Sequence, residues 1–211
     1  LRKRHLDRLT ASARYFGFPC DRTAAEAALE TAVAGLGPQR HRLRLFLDRD
    51  GLLSTDASPL PPAPRVWTVA LALEPVDERD PFLFHKTTHR ALYDGARRDH
   101  PGADEVLLWN RRGELTEATR ANLAVRLDGT WVTPALDCGL LPGTLREALL
   151  ARGCLREAVV RVEDLAQAEE IVLFNSLRGA IRVERCRTLT GAPGQETETM
   201  SFPPGWKPEA P

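Results

Sequence analysis

Two proline-bearing interruptions lie close together in the first half of the chain, and they constrain its fold more than any other stretch. Residues 59–64 read Pro-Leu-Pro-Pro-Ala-Pro. Proline has no amide hydrogen to give to a sheet ladder, so this run cannot be an interior strand. Residues 74–81 shift again to charge and proline, Glu-Pro-Val-Asp-Glu-Arg-Asp-Pro. Between the two, residues 66–73 are apolar enough for one strand. The second interruption has the composition of a linker. The expected organisation is therefore two small domains, 1–76 and 82–190, with 191–211 as a mobile tail.

Periodicity on either side assigns the elements. Leu6, Leu9, Ala13 and Phe16 fall on one helical face, and Gly17 with Pro19 closes it. Thr23 and Glu26 have capping-box spacing for a second, alanine-rich helix that Gly37-Pro38 ends. Leu43, Leu45 and Leu47 alternate with polar neighbours before an Asp50-Gly51 turn, which predicts a hairpin. In the second domain the pattern predicts a helix over 86–98 and strands over 105–109 and 122–127. Asp128-Gly129 then turns the chain into 130–133. Helices over 144–152 and 162–168 and strands over 171–174 and 181–185 complete the expectation, a mixed α+β or α/β protein.

Charge narrows the function. The 211 residues carry 29 basic and 29 acidic side chains, a formal net charge of zero, with pI near 7.1. Nucleic acid and anionic membrane both select a basic face, so neither is an expected partner. No apolar run approaches the length of a membrane span and the first residues lack a signal-peptide core, so the expected location is cytoplasmic. Cys20, Cys138, Cys154 and Cys186 are scattered, with no CxxC pair, and the five histidines form no ligand cluster, so reduced thiols and no metal site are expected.

Lysine usage is more telling. Only Lys3, Lys86 and Lys207 are lysines, and Lys86 alone lies in the body of the chain. Arginine can replace a lysine that only has to be positive. It cannot replace one that must lose its proton and attack a carbonyl, because guanidinium stays protonated.

Around Lys86 stands an ordered series of pieces suited to a phosphorylated, electron-withdrawing cofactor. Arg8 comes first, in His5-x-x-Arg8-Leu9, followed by Phe84-His85-Lys86-Thr87-Thr88. Ala103-Asp104-Glu105-Val106-Leu107-Leu108 and Gly113-Glu114-Leu115-Thr116-Glu117 follow, with Asn122 shortly after. Leu141-Pro142-Gly143-Thr144-Leu145 opens a helix, and Asn175-Ser176-Leu177-Arg178-Gly179 ends a strand. At these residues, over about 5–183, the sequence resembles the class IV aminotransferases. These are fold-type-IV pyridoxal-phosphate (PLP) enzymes that include branched-chain and D-amino-acid transaminases and aminodeoxychorismate lyase. It is most similar to lyase domains fused behind aminodeoxychorismate synthase.

The resemblance implies two small domains of the D-amino-acid-aminotransferase-like fold with the cofactor between them. It matches Lys86 to the Schiff-base lysine, which partial desolvation would make nucleophilic, and Glu117 to the carboxylate facing the pyridine nitrogen. Arg8 matches the phosphate-binding arginine. Gly143, Thr144 and Leu145 match a helix start whose backbone N–H groups hold the same phosphate. Ser176 matches a hydroxyl on that phosphate, Leu141 an apolar cover on one ring face, and Asn122 a structural asparagine. Arg178 is the expected contact for a substrate carboxylate. For the residue that bonds the cofactor's phenolic oxygen, Thr88, His89, Arg90 and Tyr93 remain open. Relatives begin with a strand or two before the first helix that carry substrate-side residues, and this sequence begins at Leu1, just before that helix. The implied activity is 4-amino-4-deoxychorismate lyase, giving 4-aminobenzoate and pyruvate for folate synthesis. The alternatives are a branched-chain or D-amino-acid transaminase and a non-catalytic accessory module of aminodeoxychorismate synthase. Relatives also imply a homodimer.

Overall fold

The computed structural model describes residues 1–62, 66–188 and 198–201. The chain divides into two compact units, Leu1–Ala63 and Pro64–Pro211. The division falls at the first proline run and not at 74–81. The reason is pairing: β3 (Val66–Leu71), expected in the first domain, hydrogen-bonds in parallel with both β4 (Glu105–Trp109) and β10 (Gly179–Thr188) of the second unit.

In the first unit, α1 (Arg2–Phe16) buries Leu6 and Ala13 and stops at Gly17, whose φ of 72° lies in the left-handed region that glycine tolerates. The second helix, α2 (Arg22–Ala34), starts differently from expectation. Asp21 is its N-cap, accepting from the amides of Thr23 and Ala24, so Thr23 stands inside the helix rather than at its cap. The predicted hairpin forms from β1 (His41–Leu47) and β2 (Leu53–Pro59), in register from His41↔Pro59 to Leu47↔Leu53.

The second unit is built on a nine-stranded mixed sheet. Its order is β5-β4-β3-β10-β9-β6-β7-β8, with β11 (Glu198–Ser201) paired to β10. Here β5 is Leu115–Ala118, β6 Asn122–Leu127, β7 Thr130–Pro134, β8 Arg156–Ala158 and β9 Glu170–Asn175. The sheet is buried on both faces, as the alternation along β4 shows: Leu107 joins one apolar cluster with Val69, Leu123, Leu173 and Val183. Val106 and Leu108 join another with Leu83 and Tyr93. Covering that second cluster are α3 (Pro81–Phe84) and α4 (Ala91–Asp99). A third cluster lies under α5 (Thr144–Ala151), whose Leu145 and Leu149 pack on Ala124 and Phe174.

The remaining expectations are corrected in detail. The predicted 86–98 helix is shorter than expected: residues 85–90 are non-helical and α4 begins only at Ala91, while α3 lies before the predicted range. Residues 162–168 form a 3-10 helix, Val162–Gln167. Part of the expected tail is strand β11, and the rest of 191–211 lies outside the described residues. No described helix is long and apolar enough to cross a membrane.

Candidate active site

Sheet topology brings most of the second unit's candidate residues to one end of the sheet. The fifth strand delivers Glu117, a short turn follows, and β6 begins at Asn122. Asn122 pairs with Phe174 near the end of β9, so the 175–178 turn stands beside the 119–121 turn. Asn175 joins them, its Nδ2 donating to the carbonyl of Arg120 at 3.1 Å while its Oδ1 accepts from the amides of Leu177 and Arg178. Ser176 is exposed at that turn and Arg178 is half-buried.

Glu117 is the chemical centre of this end. It is 4 % exposed. Tyr93 donates its hydroxyl to Oε1 at 3.0 Å, and Asn122 Nδ2 lies 3.4 Å from Oε2. Burial pushes the Glu117 carboxyl up to about 7. The Tyr93 hydroxyl, a backbone hydrogen bond from Leu141, and the positive charges of Lys86 and Arg90 pull the other way. Glu117 is thus a buried anion with neutral donors at hand and its cations further off.

Lys86 lies in the non-helical link and is exposed, rather than sitting at a helix start. Arg90, at the N-cap of α4, lays its guanidinium over the Tyr93 ring, 4.7 Å from the centroid, and donates to the carbonyl of Thr119 at 2.7 Å. Of the four residues left open for the phenolic oxygen, Tyr93 has its hydroxyl on Glu117, and His89 packs its ring on Phe82 at 4.4 Å.

The 141–145 segment reaches the same place. Asn122 Nδ2 donates to the carbonyl of Leu141 at 2.9 Å. Gly143 packs so closely on Asn122 that a Cβ there would overlap the Asn122 Oδ1, so glycine is required by space rather than by φ, which is −67°. No side chain caps α5, leaving its N-terminus to backbone N–H groups, with Thr144 buried at its first position and Leu145 turned to the third cluster. Arg8 lies half-buried on α1 in the first unit.

Two networks that sequence reasoning missed hold these segments. Glu105, wholly buried at the start of β4, meets Arg97 at 3.2 Å and Arg120 at 2.9 Å and accepts from the Thr119 hydroxyl and the amide of Val106. It therefore grips the turn that joins Glu117 to Asn122. Glu114, just before β5, meets Arg112 at 2.7 Å and Asn110 Nδ2 at 2.8 Å. Asn110 also donates to the carbonyl of Cys138, which anchors the approach to 141–145. The Arg112 guanidinium holds the Glu114 carboxyl down at about 2. Two acidic residues within charged, turn-like sequence gave no signal of burial.

These residues fit PLP by the chemistry of the donors. A buried carboxylate short of an adjacent cation suits a protonated ring nitrogen, and an uncapped helix start with glycine at its cap suits a phosphate.

Comparison with known proteins gives the family. Residues 1–186 match the family described as amino-transferase class IV. A candidate aminodeoxychorismate lyase of Schizosaccharomyces pombe is 33% identical over 189 residues, 82% of this chain and 79% of that protein. Among solved structures, a candidate amino-acid aminotransferase of Mesorhizobium loti superposes with a TM-score of 0.81 at 41% identity, covering 89% of this chain and 91% of that one. A hypothetical aminotransferase of Mycobacterium tuberculosis in its PLP-bound form gives 0.75 at 26%, covering 88% and 76%. Fold and family match together define a fold-type-IV, PLP-dependent protein. More narrowly, the chain belongs to the class IV aminotransferase family.

Proposed function

We propose that this chain is a PLP-dependent lyase that cleaves 4-amino-4-deoxychorismate to 4-aminobenzoate and pyruvate. The observation that carries the cofactor chemistry is the buried Glu117 carboxylate, held by Tyr93 and Asn122 and within electrostatic reach of Lys86. The likeness to the Schizosaccharomyces pombe protein supports the lyase substrate.

Bound here, PLP supplies an aldehyde that links to amines and a ring that withdraws electrons from the bond to be broken. Lys86 Nζ would hold that aldehyde and, once displaced, remove the substrate's ring proton. With that proton removed, the enol ether C–O bond would break and enolpyruvate would leave, gaining a proton as pyruvate while the ring becomes aromatic; Lys86 Nζ would then take the aldehyde back and free 4-aminobenzoate. Glu117 would face the ring nitrogen, whose positive charge would favour the ionised carboxylate in a site of low dielectric. The first amides of α5 with Thr144, and Ser176, would hold the phosphate. Leu141 would cover the ring and Arg178 would take a substrate carboxylate.

A transaminase is the second reading, favoured by the 41% identity to the Mesorhizobium loti protein. One assay pair separates them. Pyruvate released from 4-amino-4-deoxychorismate without a keto acid supports the lyase, whereas transfer from an amino acid that requires a keto-acid acceptor overturns it. A visible band from retained PLP, present in the wild type and missing from Lys86→Ala, is expected in either case. If neither protein keeps PLP, the chain is better read as an accessory module of a synthase. The homodimer and the cytoplasmic location belong to the same proposal, and sedimentation of the PLP-loaded protein tests the first.

A further inference from the structure

Tyr93 was one of four residues open for the cofactor's phenolic oxygen, and the structure gives it other work. It is 8 % exposed on α4, and its hydroxyl donates to Glu117 Oε1 at 3.0 Å. The ring is covered on one face by Arg90, 4.7 Å from the centroid. Arg90 cannot swing away freely, because its Nη2 is tied to the carbonyl of Thr119 at 2.7 Å, in the turn just after Glu117. A cation on the π face draws electron density from the ring, which makes the phenol a stronger donor. A hydrogen bond to the charged form of a carboxyl favours that form and fixes its plane. The three residues thus form a stack that runs guanidinium, ring, hydroxyl, carboxylate.

We propose that Tyr93, backed by Arg90, is a positioning residue for Glu117: it holds the carboxylate charged and in one orientation, so that Glu117 can serve a cationic ring nitrogen. The part that concerns the ring nitrogen rests on the PLP reading. The part that concerns Glu117 does not. The other groups facing Glu117 are the cation Lys86, the amide of Asn122 on Oε2 and the backbone of Leu141, and Asp80 adds a negative charge that acts on Tyr93. Burial alone would leave the carboxyl protonated well above its ordinary range, so loss of a donor moves it further up.

The test reads Glu117 directly in cofactor-free protein. Its protonated carboxyl stretch is identified by infrared difference spectroscopy as the band that Glu117→Gln removes, and is titrated in wild type, Tyr93→Phe and Arg90→Gln. The expected result is a midpoint raised by about one pH unit in Tyr93→Phe and by less in Arg90→Gln. Replacing Tyr93 by 3-fluorotyrosine, a more acidic phenol of nearly the same shape, must move the midpoint down. This variant decides the matter if Tyr93→Phe does not fold. A midpoint that stays put with both replacements overturns the proposal. With PLP added, Tyr93→Phe is expected to bind about tenfold more weakly at pH 7, an effect that vanishes when Glu117 is already Gln. A shifted midpoint in a protein that never retains PLP leaves the positioning role standing and removes the PLP reading. An unmoved midpoint in a protein that does retain PLP does the reverse.

Discussion

Glu114 and Glu117 stand three residues apart in sequence, flanking or within the same short strand, and both are nearly lost to solvent. Their charge partners and the direction of their titration are opposite. Glu114 has a guanidinium at 2.7 Å and an amide at 2.8 Å, and its carboxyl is held at about 2. Glu117 has a phenol and an amide, its cations act from further away, and its carboxyl is pushed up to about 7. A carboxylate whose charge is matched inside the chain has finished its work when the chain folds. One whose charge is left under-matched is poised for a cation that the chain does not carry. Glu105, with two arginines, belongs with Glu114.

Glu105→Gln leaves Arg97 and Arg120, both partly exposed, facing a buried neutral amide and is expected to cost about 2 kcal/mol, read as a lower denaturation midpoint with an unchanged slope. Gly143→Ala forces Asn122 away from Leu141 and from Glu117. Overpacking of this kind costs about 2 kcal/mol, and PLP retention should fall by more than the stability loss explains. Retention equal to wild type would show that the Gly143–Asn122 contact does not shape the site.

Glu117 sharpens the contrast through pH. Its folded carboxyl lies above the usual 4.5, so the folded state holds the extra proton between pH 4.5 and about 7, and cofactor-free stability falls as pH rises through that window. Glu117→Gln should abolish this fall and make the cofactor-free protein more stable at pH 8, by roughly 2 kcal/mol, in chemical denaturation. A less stable variant at pH 8 would mean that the carboxylate is matched after all. Glu114 runs the other way. Its stabilisation is present above 4.5 and lost as pH falls toward about 2. Because Arg112 is half exposed, solvent screening reduces that loss to about 1 kcal/mol, visible as an acid limb that Glu114→Gln flattens.

Much of this was legible in the sequence, for physical reasons that also explain what was not. Helix α1, the β1–β2 hairpin, β6 and α5 carry strong periodicity or unambiguous turn residues; Lys86 stood out by its rarity, and Glu117 by the family resemblance. The fifth strand was missed because all four of its residues are buried, which removes the alternation that marks a strand. The eighth was missed because Arg156-Glu157-Ala158 is a short polar run at a sheet edge. The unit boundary was misplaced because β3 is claimed by partners far along the chain, a non-local fact that local composition cannot carry. Tyr93 and Arg90 were visible as residues, but that one backs the other against Glu117 depends on α4 beginning only at Ala91, after the non-helical 85–90.

The central position of β3 also sets an order of events during synthesis. Its neighbour β10 lies about half the chain away, and their parallel pairing from Val66↔Arg182 onward cannot form until that later segment has left the ribosome. Until then Val69 and Leu71, which end up fully or almost fully buried, have no β10 to cover them. The nascent second unit therefore passes through a stage with an open strand edge, when chaperone capture or self-association competes with closure of the sheet. Substitutions that slow β9 and β10 should reduce yield in the cell more than they reduce stability in the tube.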